Sequence, residues 1–394
     1  MPRFEPFRAL RYSLEAPLAE VSAPPYDVLS AADVAGLARR HPRNIVEIDV
    51  PRPEDDPQRY QRAAATLDAW SADGTFVRDE RESFTLYRMS FRTEDGARRS
   101  TVGVLGGLEV VDVGAGGVLP HERTTPKDST DRLDLTRATQ ANLSPVWGLS
   151  LTEGLTALLD EPGTPLGEFV DDAGVTHAVE RVDDPERVAA ISAAVGRRPV
   201  LIADGHHRYS ISRTYRDERR AVDGHGPWDL TLTYVGELVE TQLSIDAIHR
   251  LYRGVHSDDL LALLAHSFDC TPAGPVTPAF AREVVDRGAL CMVQPDGTGT
   301  WLTPRSEAFI GVRALDGALL EHALADSSVD VSYQHGVGRV VEMVTGGQVA
   351  AGVLIRPTGI DEIRRTAHEG LLMPPKSTFF TPKLRTGLVI RPLD

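Results

Sequence analysis

The chain has 394 residues and a formal net charge of −15, with 41% hydrophobic and 25% charged residues. That length favours two or more domains. The acidic balance argues against a broad nucleic-acid-binding face, and no apolar run approaches the ~20 residues a membrane helix needs. Two cysteines, Cys270 and Cys291, make neither a disulfide framework nor a zinc site, and the N-terminus lacks the apolar core of a signal peptide. The expectation is a soluble cytoplasmic protein with no nucleic-acid or membrane partner.

Along the chain, Pro24-Pro25 forces an extended or turning backbone before Tyr26-Asp27, a pair that could line a site but reads better as a structural turn. Ser30 and Asp33 then suit a helix start, and the helix runs to about residue 40. Residues 45–50 alternate apolar and acidic and read as a strand. Tyr60, Ala64, Leu67 and Trp70 share one face of a helix over 56–71. A hairpin follows over 83–91 and 100–111, interrupted by Gly106-Gly107.

Next comes a polar cluster over 120–132. Glu122, flanked by His121 and Arg123, has the makings of a general base, and Lys127 and Arg132 offer cations to an anion. Asp131 and Asp134 suit the first turn of a helix through residue 138.

A short apolar run over 199–203 suits a buried strand. It breaks at Asp204-Gly205, and His206, His207 and Arg208 open a helix in which Ile211 and Tyr215 share a face. Strand, tight turn and helix place unpaired backbone N–H groups beside an arginine and two imidazoles, an arrangement suited to phosphate. A second α/β unit is expected from about residue 255, with Pro272, Pro275 and Pro278 marking a connection. Near the end, Lys376, Ser377, Thr378 and Lys383 offer two cations and two hydroxyls to phosphate oxygens.

Over almost its whole length the chain resembles the bacterial domain-of-unknown-function family 1015, most clearly over 6–12, 23–30, 131–149, 203–209 and 373–390. Three clusters, His121-Glu122, Asp204 to Arg208 and 375–378, are also similar to motifs of the archaeal free-serine kinase. That resemblance implies an α/β (α+β) fold. A ParB/sulfiredoxin-like nucleotide-binding core would occupy 116–254, with an N-terminal α/β region over 1–115 packed on it. A C-terminal α/β domain over 255–394 would return its last segment to the active site. Sulfiredoxins themselves place a cysteine where His206 stands here, which sets their chemistry aside.

The resemblance further implies a small-molecule kinase using ATP or ADP with Mg²⁺. Its acceptor would be a small hydroxylated substrate, foremost free L-serine, giving O-phosphoserine. Glu122 would be the base, and His207 would hold the transferring group. Asp204 would be a direct or water-mediated Mg²⁺ ligand. Gly205, His206, His207 and Arg208 would bind phosphates, joined by Lys376, Ser377 and Thr378. His121, Arg123, Lys127 and Arg132 would line the substrate side, and a homodimer is compatible with the resemblance. Two alternatives stay open: a nucleotide-binding regulatory protein without turnover, and a phosphotransferase or nucleotide hydrolase with another acceptor.

Overall fold

The computed structural model describes residues 1–93, 96–120, 129–374 and 376–394. It is mixed α/β and divides into two compact units. Unit 1 comprises Met1–Phe91, Arg98–Leu243 and Pro382–Asp394; unit 2 comprises Arg92–Ala97 and Ser244–Thr381.

Unit 1 is built on a nine-stranded mixed sheet. Its order is Val118–Pro120, Val200–Asp204, Val146–Ser150, Leu230–Glu237, Arg98–Glu109, Phe84–Arg92, Thr176–Val182 and Thr164–Val170, with Phe4–Glu5 added beside Arg98–Glu109. Strands from before and after residue 115 thus share one sheet. Gly106 does not interrupt the strand Arg98–Glu109: a Cβ there would lie 2.5 Å from the Phe4 ring, so the glycine admits an aromatic side chain against the backbone. Phe4 stacks on Phe84, and both belong to a core with Leu86, Val200, Ile202 and Tyr209. A second core in the same unit gathers Leu37, Ile45, Ile48, Leu67, Trp70 and Leu135.

The expected strand over 45–50 is instead the short helix Val46–Asp49. Asn44 accepts a hydrogen bond from the Val46 N–H at 3.1 Å, and Ile45, Val46 and Ile48 are fully buried. Their spacing fits one face of a helical turn as well as it fits alternation, and the asparagine before them favours the turn. The helix capped by Ser30 forms as expected over Ala31–Arg40, with a capping box to Asp33.

Unit 2 holds a six-stranded antiparallel sheet ordered Phe268–Pro275, Thr298–Pro304, Leu290–Val293, Ala351–Leu354, Ile248–Arg253 and Asp330–His335. Pro272 and Pro275, expected in a connection, sit in its edge strand, beside a register shift between Pro272 and Gly274, which is where sheets admit proline. Among the described residues, no helix is long and apolar enough to cross a membrane.

Candidate functional site

In unit 1 the strand Val200–Asp204 runs parallel to Val118–Pro120 and antiparallel to Val146–Ser150. Its register with the latter shifts between Ile202 and Asp204, an irregularity that re-aims the last residue of the strand. Gly205 follows with φ of 83°, a left-handed conformation that strains any side chain with a Cβ. The 18-residue helix His206–Asp223 starts immediately, with no side-chain cap. The Tyr209 N–H makes the first helical bond, to the Gly205 carbonyl, so the N–H groups of His206, His207 and Arg208 belong to the uncapped first turn. Tyr209, Ile211 and Tyr215 are buried and seat the helix on the unit.

The polar groups gather at that turn. Asp204 accepts from Arg208 Nη2 at 2.8 Å and from Lys383 Nζ at 3.0 Å, one cation on each carboxylate oxygen. Burial alone would raise the Asp204 pKa. The Lys383 and Arg208 charges outweigh it and hold the carboxyl well below the usual range. Arg208 also donates to the Pro145 carbonyl and lies 3.7 Å from Asp27. Lys383 is brought here by the segment after it: Arg385 bonds the Ser22 carbonyl at 2.9 Å, and Ala23 and Thr386 pair through both backbone groups.

Beside Arg208 opens a pocket of about 50 Å³. Tyr26, Asp49, Arg132, Asn142 and Ser144 help to line it. Arg132 lies over the Tyr26 ring at 4.5 Å and pairs with Asp131 at 2.7 Å, which Arg59 and Tyr60 hold from the other side. Burial pushes the Tyr26 hydroxyl up to about 12, against the lowering effect of Arg208. Burial likewise pushes Asp49 above the usual carboxylate range, and Arg132 and Arg208 offset only part of that.

The structure therefore brings Asp204, Gly205, His206, His207, Arg208 and Arg132 to one end of unit 1. His121, Glu122, Arg123 and Lys127 lie outside the described residues. Lys376, Ser377 and Thr378 belong to unit 2. There Ser377 and Thr378 are buried, the Ser377 hydroxyl donates to the Pro374 carbonyl at 2.7 Å, and the Lys376 carbonyl accepts from Arg250.

Sequence reasoning offered Lys383 to phosphate but not its pairing with Asp204, and left Asp49 unassigned. Tyr26-Asp27 read better as a turn than as part of a site, and Asp49 was hidden by the strand pattern. Among the described residues no three acidic, histidine or cysteine side chains come together as a metal site. With a cation on each Asp204 oxygen, the described residues do not fit a directly bound Mg²⁺.

Among curated proteins, none matches the chain. Solved structures similar to it include a free serine kinase in complex with AMP, at 12% identity and a TM-score of 0.37, covering 69% of this chain and 89% of that one. A conserved hypothetical protein from Pyrococcus furiosus is 11% identical with a TM-score of 0.37, covering 69% and 92%. SbnI with C-terminal truncation from Staphylococcus aureus is 15% identical with a TM-score of 0.40, covering 73% and 87%. Residues 4–319 match the model of a family described as proteins of unknown function, DUF1015, and the chain belongs to that family.

Proposed function

We propose that unit 1 is the catalytic part of a small-molecule kinase with a ParB/sulfiredoxin-like nucleotide-binding core. It would move a phosphoryl group from ATP or ADP to a substrate hydroxyl, with free L-serine the foremost acceptor. The observation that carries this reading is the turn from Asp204 to Arg208: a left-handed glycine, an uncapped 18-residue helix and two cations converge within a few ångströms. Phosphoryl transfer asks little covalent chemistry of a protein. It asks for positioned donors and for neutralised charge.

The first-turn N–H groups and the helix dipole would face the donor phosphates, and Lys383 and Arg208 would share their charge. Asp204 then acts through those cations, holding both in place before the nucleotide arrives. His207, in the first turn, would lie against the transferring group. Glu122, by the motif resemblance, would take the proton of the attacking hydroxyl.

The test is to incubate the full chain with Mg²⁺, ATP or ADP and a panel of hydroxylated acceptors, following phosphorylated product by mass spectrometry. Phosphoserine from the wild type and none from Glu122→Gln supports the reading. Nucleotide binding with no product from any acceptor favours a regulatory protein instead, and product with a different acceptor moves the substrate.

A further inference from the structure

The carboxylate of Asp49 has few partners for a group so nearly buried. Its side chain is only 5% exposed. Among the described residues it accepts one side-chain hydrogen bond, from Arg132 Nη1 at 3.5 Å, the outer limit of a useful contact. The stronger bond from the same nitrogen, at 2.5 Å, goes to the Asp49 backbone carbonyl. An ionised carboxylate has about four lone-pair sites, and a buried one left mostly unfilled is costly. Asp49 is not sealed in a core, because it lines the pocket beside Arg208. A donor entering that pocket would complete its shell.

We propose that this pocket receives the primary ammonium group of the acceptor substrate on Asp49, which makes the acceptor a hydroxy amino acid or amino alcohol. The inference rests on the kinase reading for the word acceptor, and on the pocket alone for the ammonium. An –NH₃⁺ carries three donors and a full charge, so it repays the buried carboxylate more than a neutral hydroxyl does. A divalent cation fits poorly, since it wants six or more oxygen ligands and Asp49 supplies one carboxylate. Arg132 and Arg208 line the same pocket and suit the carboxylate of an amino acid. Asp49 is thus the specificity determinant, and Arg208 joins its pocket to the phosphate turn.

The test compares L-serine, ethanolamine and L-glycerate, the last with a hydroxyl in place of the ammonium. Binding to the full chain is read by saturation-transfer NMR, and turnover by product formation. The wild type should favour serine over glycerate by at least about tenfold, and Asp49→Asn should raise KM for serine by a similar factor while leaving glycerate unaffected. Glycerate bound as well as serine by the wild type overturns the inference without any variant. So does Asp49→Asn that binds serine normally. If no acceptor is phosphorylated, the kinase reading fails, yet ammonium-dependent binding lost in Asp49→Asn still upholds the pocket assignment.

Discussion

The Asp204 carboxylate pulls against its own burial. Desolvation would raise its pKa, and the charges of Lys383 and Arg208 reverse the sign. A carboxyl held below its unfolded value contributes stability that is fully present above about pH 4 and is lost as pH falls toward the folded pKa. Asp204→Asn keeps the shape and removes the charge, leaving Arg208, whose side chain is 9% exposed, without its 2.8 Å partner. Unfolding in urea should therefore show a loss of about 3 kcal/mol at neutral pH, with a shallower decline below pH 4 than the wild type. A variant as stable as the wild type with an unchanged acid profile would mean that the pairings do not hold the turn.

At the scale of elements, Gly205 joins a strand to a helix at φ of 83°, and a Cβ there would stand 3.0 Å from the Arg208 guanidinium carbon. Gly74 has nearly the same φ, 78°, with nothing within 4 Å of its Cβ position. Both glycine-to-alanine changes should cost about 1–2 kcal/mol from the left-handed backbone. Only Gly205→Ala should also displace Arg208 and weaken ADP binding, which calorimetry on the two variants separates. Equal ADP affinity in both would detach the turn from nucleotide binding.

This junction was legible in the sequence because it is local. A buried run, Asp-Gly and an amphipathic helix lie within 24 residues, Val200 to Asp223, and each element formed where its pattern put it. Asp49 was not legible, since residues 45–50 satisfy a two-residue period and a helical turn alike, and tertiary burial chose the turn. Lys383 lies 179 residues from Asp204, a separation no local pattern spans.

At the scale of the whole molecule, each unit has its own sheet and cores. Unit 1 takes in the C-terminal segment, where Arg391–Pro392 pairs with Ala141–Asn142. Unit 2 carries its own acid sensitivity. His249 is 2% exposed, and its Nδ1 accepts the Ile355 N–H at 3.2 Å, which only a neutral ring can do. Burial, aided by the charges of Arg250 and His335, lowers its pKa from 6.5 to about 3. The unfolded chain takes up that proton below about pH 6.5 and the folded one does not, so stability falls as pH drops from there toward 3. The loss reaches roughly 4 kcal/mol, and His249→Gln should flatten the profile of unit 2 over that window. An unaltered profile would place the acid sensitivity elsewhere.

The central claim is that the turn from Asp204 to Arg208, with Lys383, binds nucleotide phosphates. Isothermal titration of ADP into the wild type and Lys383→Ala tests it most directly. The account predicts saturable binding by the wild type and a loss of about tenfold or more in the variant, the worth of one charge-assisted contact. No binding by the wild type, or equal affinity in the two proteins, would contradict it.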